Sequence, residues 1–363
     1  MSYYWITEPL LYFAYALLAG LTVMALIPRS STPGVSVPAW LGPAASITVA
    51  ACSFIPLLKI IMFFKDDIGF WQSFNSIMFK FSEGEHYAWI LVLSIVMAVL
   101  TVTVRRNPGS MLRWLMPAAL LGIAAAMSSF NHAASLFESV GQLAFFGHFT
   151  AMAIWSGTLL LAGWFGKELD RRWDAFLRWF HPMAIICVII VIGSGLFLMT
   201  GVTPDPVNSW ALSYGQALLV KHILILPLLV FGFVNGYLVK RRLNRDRAFR
   251  PERWAKCEGI LIGLVYIVTG YMNQQPAPHE VADTLVVYGP APTFEWFHPG
   301  YASGSLTFAW SWYGIVSLGI GLVLLWNVIR AFRKNRSALE GLLSGLAAVI
   351  LLYSGLMFSV TAI

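Results

Sequence analysis

The chain has 363 residues, 58% of them apolar and only 11% charged, a balance that excludes a water-soluble globular domain. Its formal charge of +7 is spread over short connections beside apolar runs, so it reports membrane topology and excludes a nucleic-acid partner. No Walker A sequence, CxxC or CxxCH occurs, which excludes nucleotide hydrolysis, thioredoxin-like chemistry and c-type haem attachment.

Apolar runs of membrane-crossing length recur from one end to the other. In hydrocarbon such runs can satisfy their own backbone only as helices. Ten spans are expected, at about 8–28, 40–63, 87–104, 112–130, 141–165, 181–201, 216–239, 258–275, 308–330 and 340–361. The fold class is therefore all-α, a polytopic transmembrane helical bundle. The first span opens on Glu8 and lacks both a basic n-region and an A-x-A-like site, so it is expected to be retained rather than cleaved.

Of the 24 Lys and Arg, all except Lys59, Lys65, Lys80 and Lys221 fall in alternate connections. By the positive-inside rule those connections are cytoplasmic, and both termini are extracytoplasmic. The basic stretch KRRLNRDRAFRPERWAK (240–256) then reads as a topology anchor near anionic lipid. The opposite face is acidic, with Glu8, Asp66, Asp67, Glu83, Glu85, Glu138, Asp205, Glu280, Asp283 and Glu295, and should concentrate cations.

The two longest connections both belong to that acidic face. KDDIGFWQSFNSIMFKFSEGEH places Trp71, Phe74, Ile77, Met78 and Phe81 at near-helical spacing, as expected of an amphipathic segment lying in the interface. QPAPHEVADTLVVYGPAPTFEWFHPG is punctuated by Pro and Gly, and its run VADTLVVY is expected to be a brief strand or turn in an ordered cap. Cys52, Cys187 and Cys257 lie in spans or on the basic side, so no extracytoplasmic disulfide is expected.

Seven histidines remain to be placed. His86, His132, His279 and His298 fall in or beside the acidic-face loops, and His181 lies at the basic side. His148 and His222 lie inside spans, about 8 and about 9 Å along their helices from the acidic end, and so share a level. Imidazole buried in hydrocarbon is costly unless a metal, a haem or an interhelical hydrogen bond compensates it. Met152 follows His148 by four residues on the same helix face. Met199 and Met272 sit near the acidic ends of their own spans. Nitrogen and thioether donors together suit copper. Lys221, beside His222, either snorkels outward or sets an electrostatic barrier next to the site. Asn131, Asn235 and Asn273 read as interhelical hydrogen-bonding residues.

An ordered series of segments resembles the copper resistance protein D (CopD) family: NHAAS at 131–135, GHFTAMAIWSGTLLL at 147–161, GSGLFLMTG at 193–201, YGQALLVKHILILPLLVFGFVNGYL at 214–238 and CEGILIGLVYIVTGYMNQQPAP at 257–278. Carried over residue by residue, the matches are His132, His148, Trp155, Tyr214, Gly215, Lys221 and Asn235, with His132 and His148 implied as copper-contacting. The resemblance implies a bacterial cytoplasmic (inner) membrane protein that handles copper ions, and a CopC-type extracytoplasmic copper carrier as partner. No His-rich soluble domain is fused to the chain, so that carrier is expected to be a separate protein.

The sequence reading is thus a non-enzymatic copper transporter in three segments: a four-span segment at residues 1–130, a copper-handling core at 131–278, and a loop with a two-span tail at 279–363. His132, His148 and Met152 would bind Cu+ or Cu2+, with His222 or Met199 completing the shell. On the basic-side half only Cys187, Met183 and His181 offer ligands. Two rivals stay open. One is a b-type cytochrome in which His148 and His222 ligate haem b. The other is a membrane scaffold that delivers copper from a carrier without transporting it.

Overall fold

The computed structural model describes residues 3–129, 132–166, 171–246 and 249–363. Among them ten helices are long and apolar enough to cross a membrane, one for each expected span. The first half contains α1 (Thr7–Leu26), α2 (Leu41–Ile68), α3 (Phe70–Lys80), α4 (Ser82–Arg106), α5 (Leu115–Ser128), α6 (His132–Phe165) and α7 (Arg171–Val202). The second half begins with α8 (Ser213–Phe233), continued through a π turn at Val234–Leu238 into α9 (Val239–Leu243). There follow α10 (Pro251–Met272), α11 (Val281–Tyr288), α12 (Pro292–Glu295), α13 (Trp312–Arg333) and α14 (Ala338–Met357). Helix starts carry the expected signals. Pro251 opens α10, the Ser311 hydroxyl accepts from Gly314 N–H at α13, and that of Ser337 accepts from Glu340 N–H at α14.

The chain divides into two compact units, Met1–Leu198 and Met199–Ile363. In unit 1, α1 and α6 run side by side in the same direction, with Tyr15 stacked on Phe149 at 4.6 Å near one end and Gly20 against Gly157 further along. Small residues make this approach possible. A Cβ on Gly157 would stand 1.7 Å from the Ala16 carbonyl oxygen, and one on Gly20 would stand 2.4 Å from that of Gly157. Tyr15 is fully buried and donates its hydroxyl to the Leu120 carbonyl at 2.9 Å, tying α1 to α5. Helix α6 is broken at Glu138, whose φ of 49° lies in the left-handed region, so its opening turns are offset from the membrane-crossing rod.

The expected amphipathic segment is α3. Gly69, at φ +83°, separates it from α2. Ile77, Phe74 and Met78 pack against Leu57, Ile61, Phe54 and Tyr87, while Trp71 and Phe79 face outward. That exposed aromatic pair suits the boundary between headgroups and acyl chains.

In unit 2, α8 packs against α10, α13 and α14. The α13–α14 hairpin closes over Gly321 and Gly355, where added Cβ atoms would meet Leu352 and Leu318 at 2.8 and 2.7 Å. VADTLVVY is a helix, α11, and not the brief strand or turn expected of a short apolar run between Pro and Gly. Gly289, at φ +71°, follows its last turn and stops it in the manner of a helix C-terminus. The strand of this region lies further on: β1 (Leu306–Phe308) pairs antiparallel with β2 (Val360–Ala362), with Thr307 opposite Thr361.

The connection between α10 and α13 does form an ordered cap. Gln216, buried on α8, donates to the Trp210 carbonyl at 2.5 Å and accepts from Thr293 at 3.3 Å and from the Tyr353 hydroxyl. Ala291 N–H reaches the Ala211 carbonyl at 2.7 Å. His298 donates Nε2–H to the Met357 carbonyl at 3.1 Å and lies against the Phe294 ring at 4.5 Å. Burial pushes the His298 imidazole below its usual range, with the Met357 carbonyl pulling partly the other way.

Two outcomes follow from this packing. Gly157→Val should cost at least about 3 kcal/mol, since backbone lies in the way, whereas Gly193→Ala enters open space and should be neutral. Thermal unfolding of the detergent-extracted variants reads the difference. A lowered folded-state pKa means that His298 stabilises the cap fully above the unfolded value of about 6.5 and loses that contribution as pH falls through it. The protection factors of the α12 amides should therefore fall below about pH 6.5 in the wild type and stay constant in His298→Gln, which keeps a donor but does not titrate.

Candidate metal site

His148 lies 11 residues past Phe137, the start of its membrane-crossing segment, a rise of roughly 16 Å. The ring is half-buried and its Nδ1 stands 3.1 Å from the Ser194 hydroxyl of α7. The Ser194 O–H donates to the Ile190 carbonyl, one turn earlier on its own helix, at 2.5 Å. That hydroxyl proton is committed, so its oxygen accepts from His148 Nδ1–H and the imidazole lone pair is carried by Nε2. This is one of the two tautomers through which a histidine can ligate a metal, with Nε2 as the ligand atom. Gly195 lets the ring come close, because a Cβ there would stand 3.2 Å from Cε1. The GSG of GSGLFLMTG thus supplies both the acceptor and the space.

Met152 follows on α6, half-buried, and its carbonyl accepts from Ser156 at 2.6 Å. Trp155 is buried within unit 1. The side chain of His132 lies outside the described residues, as does Asn131. His148, Met152 and Trp155 belong to unit 1, whereas Met199, Tyr214, Lys221, His222 and Asn235 belong to unit 2.

His222 lies nine residues into α8, roughly 14 Å along it. Its Nδ1–H donates to the Leu218 carbonyl at 2.8 Å, which again leaves the lone pair on Nε2. The ring is exposed on its unit, and Lys221 beside it is half-buried. Met199 is half-buried. Tyr214 is half-buried too, and the reason for the glycine after it is steric: a Cβ on Gly215 would stand 1.9 Å from the Ser209 carbonyl oxygen. Among the described residues no three His, Cys, Asp or Glu side chains gather around a point that could hold an ion. Metal coordination by the described residues alone would therefore draw on thioethers, or on fewer than three of those groups.

Asn235 is an interhelical hydrogen-bonding residue, as its type suggested. Buried in the π turn, its Nδ2 donates to Glu258 Oε2 at 2.7 Å and to the Trp254 carbonyl at 3.2 Å, both on α10. Glu258 is 2% exposed. The sequence reading passed over it, although a carboxyl seven residues inside a span was signal enough. The three cysteines are free; Cys257 donates Sγ–H to the Ala338 carbonyl at 3.4 Å.

Comparison with known proteins gives these residues a context. Residues 174–272 match the family model described as copper resistance protein D. The chain is 29% identical over 209 residues to the Copper transport protein CutJ of Bacillus subtilis (strain 168), across 54% of this chain and 37% of that protein. It is 28% identical over 211 residues to the Inner membrane protein YebZ of Escherichia coli (strain K12), across 54% of this chain and 68% of that one. The chain thus spans little more than a third of CutJ. No solved structure matches it. The family match contains Met199, Tyr214, Lys221, His222, Asn235 and Glu258, and it ends short of His132, His148, Met152 and Trp155. With ten helices long and apolar enough to cross a membrane, the chain is a multi-pass membrane protein whose central residues 174–272 are similar to copper resistance protein D.

Proposed function

We propose that the protein carries copper ions across the bacterial cytoplasmic membrane, inward from the acidic face. The observation that carries the reading is the chain His148–Ser194–Ile190, which holds an imidazole inside the membrane with its proton on Nδ1, a donor type that suits a soft ion. Met152, one turn further along α6, adds a thioether to the same face. His132, His222 and Met199 complete the ligand set in this reading, and Trp155, Tyr214, Lys221 and Asn235 support it. Residues 131–278 form the copper-handling core, flanked by a supporting four-span segment (residues 1–130) and a capping tail (residues 279–363). Both termini lie outside, and a CopC-type carrier delivers the ion to the acidic loops. The names of the two relatives, a copper transport protein and an inner membrane protein, point the same way. No nucleotide is needed: an inside-negative potential favours inward movement by roughly 2.3 kcal/mol per charge per 100 mV.

One observation also favours a second reading. His148 and His222 both hold Nδ1–H on an oxygen acceptor and carry the lone pair on Nε2, the arrangement that haem-ligating histidines use. The visible spectrum of the purified protein separates the two: a Soret band selects haem b, and copper without that band selects transport.

Uptake into proteoliposomes tests the main reading and separates it from a scaffold that docks copper without moving it. His148→Ala should abolish copper accumulation at limiting copper; unchanged accumulation would remove the residue from the path. Ser194→Ala keeps the imidazole but releases its tautomer, and should weaken copper binding by about 10–100-fold while the protein still folds.

A further inference from the structure

Glu258 is a carboxyl group buried in a membrane-crossing helix, roughly 10 Å from the start of α10. Ionisable groups at such depth are expensive, and where they occur they mark ion or proton pathways. The site around it is built. Asn235 Nδ2 donates to Oε2 at 2.7 Å, and Oε1 stands 3.8 Å from where a Cβ on Gly232 would be, so a glycine opens the second oxygen to α8. Asn235 sits in the π turn, where Val239 N–H reaches back five residues to the Val234 carbonyl. Such single π turns inside α-helices recur at functional sites.

The chemistry of the cluster is hard and oxygen-based. The Asn235 amide reaches the carboxyl, and the Cys257 thiol turns away to α14 through the Ala338 carbonyl. A soft copper ion would find poor ligands there. A proton would not, because a carboxyl alternates between an acceptor and a donor without moving its heavy atoms.

The charged and titratable groups on the surrounding elements are few. On α10 they are Glu252, Arg253 and Lys256 near its start, with Lys256 two residues away on another helix face, and Tyr266 two turns on. On α14 the nearest is Glu340, which accepts from Arg336 at 2.5 Å. On the α8–α9 rod, Lys221 and His222 lie at least 13 residues toward the acidic end, Tyr237 lies in the π turn with Arg241 over its ring, and Lys240, Arg241 and Arg242 lie past the turn. Arg242 is already bonded to Asp246, Asn335 and the Phe332 carbonyl.

We propose that Glu258, positioned by Asn235, is a proton-binding site in the basic-end half of unit 2, and that proton exchange there accompanies copper movement. The step is acid–base only: an O–H bond forms on the carboxylate as a proton arrives and breaks as it leaves, with nothing oxidised or reduced. The coupling rests on the copper reading above; the proton site does not.

Infrared titration of the reconstituted protein tests the site directly. The wild type should show a protonated-carboxyl band that appears and vanishes with pH, and Glu258→Gln should lack it. Asn235→Ala keeps the carboxyl but loses its donor, so the midpoint of the band should move. Identical titrations in wild type and Glu258→Gln would overturn the proposal. Copper influx into vesicles loaded with a pH dye tests the coupling against protein-free vesicles. Wild type should change the lumenal pH as copper enters, and Glu258→Gln should not. Copper entry with no lumenal pH change in the wild type, or with an equal change in both proteins, would sink the coupling. If the wild type moves no copper, the transport reading fails, and the infrared result alone decides the proton site.

Discussion

Hydrocarbon offers no hydrogen-bond partner, so every polar group inside a span has to find one within the protein. The backbone meets that demand by forming helices, and the polar side chains that find a partner do so in two ways, while buried hydroxyls such as those of Ser53 and Ser94 make no hydrogen bond. Most hydroxyls fold back on the preceding turn of their own helix: Thr22 to Leu18, Ser46 to Gly42, Thr48 to Ala44, Ser156 to Met152 and Thr269 to Val265. His222 does the same with an imidazole nitrogen. A smaller set reaches across to a neighbouring helix or to the cap, and this set contains the groups with chemical potential: His148 to Ser194, Asn235 to Glu258, and Gln216 to Tyr353 and Thr293. Local satisfaction is silent about partners, while a cross-helix bond fixes which two helices belong together and in which register.

Lateral packing follows from a second constraint. Lipid tails are as apolar as leucine, so burying apolar side chains does little to draw helices together in the bilayer, and close van der Waals contact has to do it instead. Glycine supplies the approach between α1 and α6 and between α13 and α14. It also gives the ring of His148 and the carboxyl of Glu258 room against their neighbours at Gly195 and Gly232. The same residue type therefore serves assembly in some places and a polar cluster in others.

Much of the fold was legible in the residues themselves. Length and apolarity located all ten spans, and the spacing of Phe74, Ile77 and Met78 revealed α3. VADTLVVY misled because a short apolar run between Pro and Gly fits a strand or a helix alike, and here Gly289 ends a helical turn. For the candidate site the limit was different. His148 stood out by depth and type, but its tautomer depends on Ser194, a residue of another helix whose hydroxyl proton is directed by a third group, Ile190. No pattern along one helix encodes that. Glu258 was readable as an anomaly and was overlooked beside the histidines, although its pairing with Asn235 joins two of the segments that carried the family resemblance.

The π turn has a further consequence for the long rod that begins at Ser213. Each additional residue in a helix rotates everything after it by roughly 100°. Val234–Leu238 thus acts as a phase step: the face that carries His222 on one side of it is not continued by the face that carries Lys240 on the other. One continuous element thereby addresses different neighbours at its two ends, and trimming a single residue from the turn would re-aim the whole basic terminus while leaving the imidazole where it stands.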